Sequence, residues 1–223
     1  MKFVQNFRRD LKQIRFTGEP YALVRFGDGE RAFCEHRPIT AGAERWHYDG
    51  TDTATARKVL QTVTADEEEL YIGISCPCCD ASGHAWYMST VRAPADRITY
   101  ANIFVNGNYS TFKRKLDALP RDAYTLVSCK HGDITVPANC INPEFDYSDV
   151  VVAMQASNKP IFVAAGPIKC GIIYDYWTTT HAKDRQIVLD VGSAMDSYIH
   201  GKPTRRYHIA GTPTSTRICR WSA

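Results

Sequence analysis

Short apolar runs punctuate the chain: YALVRF (21–26), LYIGIS (70–75), ITYANIFV (98–105), YTLVS (124–128), IFVAAG (161–166) and QIVLDVG (186–192). Their hydrophobicity is nearly continuous rather than alternating, which predicts strands covered on both faces. Between them lie segments with helical spacing: TATARKVLQTV (53–63), YSTFKRKLDAL (109–119) and KCGIIYDYWTTTH (169–181). In the last, Ile172 and Tyr176, and Ile173 and Trp177, recur four residues apart and make one apolar face. Strands alternating with helices predict an α/β fold, Rossmann-like, with a mostly parallel sheet flanked by helices in a single domain over 1–223. Ligands of such sheets bind beyond the carboxyl ends of the strands. That rule marks Asp28, Glu30, Asn106, Gly166 and Asp190, each of which follows or closes an apolar run.

Composition changes this picture little. Hydrophobic residues make up 44% and charged residues 23% of 223 residues, as in an ordinary globular chain. No apolar stretch approaches the roughly 18 residues of a membrane span. The opening MKFVQNFRRDLKQIRF is too interrupted by charge for a secretory signal, so a cytoplasmic location is the expectation. The net charge of +3 does not by itself argue for nucleic acid. Its distribution is uneven: after Asp196 come only cations, Lys202, Arg205, Arg206, Arg217 and Arg220, giving a basic tail over about 201–223. Such a tail suits an anionic ligand, and equally a solvated surface.

The chemistry concentrates at the end of the first strand, where Gly27-Asp28-Gly29-Glu30 follows YALVRF. Glycines at 27 and 29 permit a sharp bend and close approach of a bulky ligand. Carboxylates two residues apart can then serve Mg²⁺ or Mn²⁺, which take oxygen ligands and often share them with a substrate diphosphate. Arg25 would add a guanidinium toward the phosphates. On spacing alone, an Asp-Gly turn with Glu30 in the first turn of a helix is the plainer reading.

The heptapeptide VRFGDGE (24–30) resembles the signature of the GT-D-type glycosyltransferases, a bacterial family first described as a domain of unknown function. Three further segments are similar to the family in the same order: ANIFVNGNYSTF (101–112), IFVAAGPIKCGIIYDYW (161–177) and QIVLDVGSAMDSY (186–198). The resemblance spans about residues 20–208. It implies a Rossmann-like enzyme that moves a sugar from a nucleotide diphosphate, a UDP-sugar being expected, to a hydroxyl of a glycan acceptor. It also implies that Asp28 and Glu30, as the Asp-x-Glu pair, bind the metal. Asn106 and Asn108 are candidates for the nucleotide or sugar, although Asn-Gly-Asn equally suits a turn. Gly166 and Pro167 would open a phosphate-facing loop with Lys169 as a point charge. Asp190 would hold a sugar or ribose hydroxyl or cap a turn. Neither a Walker loop nor a dinucleotide fingerprint is present.

A displacement by an acceptor hydroxyl needs a general base, for which Asp80, Asp133 and Asp190 stand at suitable positions. Two other readings compete. Modified bases of DNA are an alternative acceptor, served by the basic tail. The cluster Cys76, Cys78 and Cys79, with Cys129 and Cys140, suggests a zinc-held binding module, although its spacing is not that of paired zinc ligands. For all eight cysteines, thiols or metal ligands are expected in preference to a disulfide framework. His84, Trp86 and Tyr87, just beyond the cluster, form a possible aromatic platform for a sugar ring.

Overall fold

The computed structural model describes residues 1–41, 46–51, 53–136 and 146–217, which leaves Cys140, Cys219 and Arg220 outside the described residues. The strands are β1 (Ala22–Arg25), β2 (Ile39–Ala41), β3 (Trp46–Tyr48), β4 (Leu70–Ile74), β5 (Ile98–Tyr100), β6 (Thr125–Ser128), β7 (Ile134–Thr135), β8 (Ile161–Ala164) and β9 (Val188–Asp190). The helices that matter here are α1 (Phe7–Gln13), α2 (Asp28–Cys34), α3 (Thr53–Val63), α4 (Ala81–Thr90), α5 (Tyr109–Asp117), α6 (Ser148–Gln155), α7 (Lys169–Thr179) and α8 (Asp196–His200).

Seven strands form one sheet in the order β5-β4-β1-β9-β8-β6-β7, and every described pairing in it is parallel. β2 and β3 make a separate antiparallel hairpin. The alternation of side chains explains why the strands read as unbroken apolar runs. Val24, Ile72, Val163 and Val188 point to one face, where Val59 and Val63 of α3, Met154 of α6 and Trp177 of α7 cover them. Their neighbours Leu23, Tyr71, Phe162 and Leu189 point to the other, against Leu11 of α1, Phe112 and Leu116 of α5 and Ile199 of α8. Both faces are therefore dry, as a parallel sheet requires.

Two departures from the sequence reading have physical causes. The strand expected over 98–105 ends at Tyr100. Ile103 and Phe104 are fully buried, but they fill the second core from a turn rather than from a ladder. Cys129 is disulfide-bonded, contrary to the expected thiol. Its sulfur is held covalently and is unavailable to a metal.

β1 sits between β4 and β9, so the chain leaves β1 in one direction and returns beside it from the other. This is the topological switch point at which open parallel sheets bind ligands.

Candidate functional site

Beyond β1 the backbone turns directly into α2, with Gly27 as its N-cap. The two acids of this turn part company. Glu30 is buried and Asp28 is exposed. One Glu30 oxygen, Oε2, accepts from the Gly27 N–H at 2.8 Å, and the other, Oε1, lies 2.5 Å from the Lys169 ammonium. The buried Tyr87 hydroxyl fixes the same turn by donating to the Gly27 carbonyl at 2.5 Å.

Lys169 also approaches Asp190, 3.4 Å away, and Asp190 is wholly buried. Arg25 completes the row. Its Nε donates to the Asp190 carbonyl at 2.6 Å, its backbone N–H to Oδ2 at 2.9 Å, and its Nη2 lies 3.3 Å from Oδ1. Nη1 reaches the Ala101 carbonyl at 2.9 Å, and the guanidinium lies 5.2 Å from the centre of the Phe104 ring. Gly192, at φ +46°, leaves room for this guanidinium: a Cβ there would stand 2.6 Å from Nη2. Two cations and two anions thus neutralise one another beneath the strand ends.

The charges of this row hold one another ionised. Burial would raise the Glu30 pKa, but the charge and hydrogen bond of Lys169 outweigh it and hold the carboxyl below its ordinary range. Burial would lower that of Lys169, but Asp190 and Glu30 prevail and hold the ammonium above its ordinary value. Cys34 on the same helix is pushed up to about 12, by burial and then by the nearby Glu30 and Glu35.

A cavity of about 590 Å³ opens beside this row, among the loops that follow β1, β4 and β5. Asp28 lines it and makes no hydrogen bond or ion pair among the described residues. Among the described residues, three guanidiniums, Arg31, Arg37 and Arg217, line it against two carboxylates, Asp28 and Asp80. Arg31 and Arg37 both grip Glu35, at 2.7 and 2.8 Å, and Arg31 also donates to Ser82 at 2.9 Å, linking α2 to α4. Arg217 comes from the basic tail and donates to the Cys78 carbonyl at 3.3 Å.

The residues marked in the sequence divide accordingly. Gly27, Asp28 and Asn106 line the cavity, Asn106 with a left-handed φ of 54°. Gly29 is buried in the first turn of α2. Arg25, Glu30, Lys169 and Asp190 form the buried ionic row and are not among the cavity's lining residues. Asn108 is buried as well, its amide donating to the carbonyls of Phe7 and of Ile103, the latter at 2.9 Å. Gly166 takes a φ of 60° after β8, and Pro167 lines a second cavity of about 360 Å³ beside Lys58 and Tyr147.

Of the three possible bases, Asp80 alone lines the larger cavity. Its Oδ1 caps α4 by accepting from the Gly83 N–H at 2.9 Å. Asp133 instead accepts from the Leu126 N–H at 2.7 Å and pairs with Arg121. The aromatic platform needs correction: Tyr87 has no exposed surface, and its ring packs into the core. Arg31 and Arg37 went unmarked in the sequence. The spacing of Arg31 three residues after Asp28, on the same helical face, was the available signal.

No family model matches the sequence, and no curated protein matches it either. Among solved structures, the chain is similar to the highly conserved domain of unknown function 1792, described as having a distinct glycosyltransferase fold. The TM-score is 0.54 at 17% identity, over 87% of this chain and 78% of that one. The α/β architecture expected from the sequence is therefore a glycosyltransferase fold: a seven-stranded parallel sheet with helices on both faces.

Proposed function

We propose that the protein is a metal-dependent glycosyltransferase that moves a sugar from a nucleotide diphosphate, a UDP-sugar by preference, to a glycan hydroxyl. The supporting observation is the Asp28 carboxylate, unpartnered among the described residues, in a cavity where three described guanidiniums gather beyond the carboxyl ends of β1, β4 and β5. The donor set suits a hard cation held by one carboxylate together with phosphate oxygens, a mode Mg²⁺ commonly takes. Glu30 is already saturated by Lys169 and Gly27, so Asp28 would hold Mn²⁺ or Mg²⁺ while Glu30 fixes the turn that presents it.

A bound cation would neutralise charge developing on the departing diphosphate. Arg31, Arg37 and Arg217 bind the diphosphate oxygens, for which the planar guanidinium fork is suited. Asp80 takes the proton of the acceptor hydroxyl as its oxygen bonds to the anomeric carbon. The bond from that carbon to the diphosphate breaks, and its electron pair leaves with the diphosphate. A panel of nucleotide sugars, read by thermal shift with and without Mn²⁺, tests this reading. Stabilisation by one nucleotide class that requires Mn²⁺ supports it, and uniform indifference to all of them counts against it.

A further inference from the structure

The loop after β4 carries a second constellation, distinct in its chemistry from the oxygen ligands of Asp28. Residues 76–79 form a hydrogen-bonded turn in which the N–H groups of Cys79 and Asp80 both donate to the Cys76 carbonyl at 3.0 Å. The turn draws three side chains to one point. The sulfurs of Cys76, Cys78 and Cys79 all lie within 4.8 Å of one another, with Cys76–Cys78 at 3.3 Å and Cys78–Cys79 at 4.0 Å. Three thiolates at tetrahedral angles around zinc, each bonded at about 2.3 Å, stand roughly 3.8 Å apart. The separations of 3.3 and 4.0 Å bracket that spacing.

Cys76 packs with Phe7 and Tyr100, and Cys78 lies against them, so one side of the cluster is apolar while the other carries a polar neighbour. The Asn102 amide donates toward two of the sulfurs, Cys76 at 3.6 Å and Cys79 at 3.7 Å, the kind of contact that orients and steadies metal-bound thiolate. Burial grades outward from Cys76 through Cys78 to the exposed Cys79. Cys76 and Cys79 line the large cavity. A fourth coordination position would therefore open toward that space, as in zinc sites that keep three protein ligands and one exchangeable one.

We propose that Cys76, Cys78 and Cys79 bind one Zn²⁺ ion, with Asn102 as a supporting neighbour and the fourth position facing the cavity. Binding releases the thiol protons, so affinity rises with pH. The ion pins the β4–α4 loop, which also carries Asp80 and the carbonyl that receives Arg217. Zinc binding by these thiols does not require that the neighbouring cavity transfer a sugar.

The test uses the full chain with its thiols reduced, titrated first with Co²⁺ and then with Zn²⁺. The expected result is one equivalent of Co²⁺ per chain with thiolate-to-cobalt absorption in the near ultraviolet, displaced by Zn²⁺. Cys78→Ser and Cys79→Ser lose that absorption, and Asn102→Ala weakens Zn²⁺ binding by roughly 10–100-fold. Cys34→Ser, on α2, leaves binding unchanged. Absence of the absorption in the reduced wild-type chain would overturn the proposal, as would its persistence in both serine variants. A Cys76–Cys78 disulfide that resists reduction would do the same.

Discussion

The Lys169 ammonium lies 2.5 Å from Glu30 and 3.4 Å from Asp190, joining the turn after β1 to the end of β9 through the start of α7. All three groups are buried. Removing one partner of such a set strands an uncompensated charge, which costs roughly 3–5 kcal/mol. Glu30→Gln and Lys169→Met are each expected to destabilise the chain on that scale. The double variant should lose much less than the sum of the two. Urea unfolding of the four proteins checks the cycle, and strict additivity would show that the pair is not coupled.

The same pair sets a pH dependence whose sign follows from the shifts. The depressed Glu30 contributes stability above the ordinary carboxylate range, about pH 4.3, and loses it as pH falls through the folded value. The raised Lys169 contributes below the ordinary lysine value, about pH 10.4, and loses it as pH rises through its folded value. In Lys169→Met, burial is left to act on Glu30 with its main partner gone, and its pKa should rise. Stability of that variant is expected to increase as pH drops toward 5, a range over which the wild-type Glu30 contribution stays flat. Unfolding free energies measured between pH 4 and 8 decide the sign.

Arg217 is exposed and reaches the cavity from the tail, so its loss should touch binding without touching the fold. A charged hydrogen bond is worth about 1.5–3 kcal/mol, so Arg217→Ala is expected to weaken UDP binding by roughly 10–100-fold. Thermal stability should move by less than about 0.5 kcal/mol. Calorimetry at two salt concentrations checks both statements, because an exposed cation contributes less at high ionic strength.

Asp80 combines a cap and a candidate base, and the two roles can be separated. Serine also caps helices, so Asp80→Ser should retain α4 while removing the carboxylate. Its turnover is expected to fall by roughly 10²–10⁴ with donor affinity unchanged. Gly83→Ala places a Cβ 1.9 Å from the Asp80 carboxylate and should displace the cap instead, lowering stability by about 1 kcal/mol. Steady-state kinetics beside thermal melts distinguish the two variants.

The sheet was legible because a strand buried on both faces leaves an unbroken apolar run, and β1, β4, β6, β8 and β9 all lie within such runs. β7 was not, because two residues, half-buried and exposed, leave no period to read. The site was legible as a location. Its division of labour was not, because Lys169 is 139 residues from Glu30 in the chain, and only the fold shows that it saturates that carboxylate. The spacing of Asp28 and Glu30 suggests one shared ligand. The helix that starts at once after Gly27 turns one acid inward and leaves the other at the cavity.

The most direct measurement is a calorimetric titration of UDP in the presence and absence of Mn²⁺, on the wild type and on Asp28→Asn. The expected result is wild-type binding that requires Mn²⁺, lost in Asp28→Asn while its melting temperature is unchanged. An Asp28→Asn chain that binds UDP with Mn²⁺ as tightly as the wild type would contradict the assignment of the cavity acid to the metal.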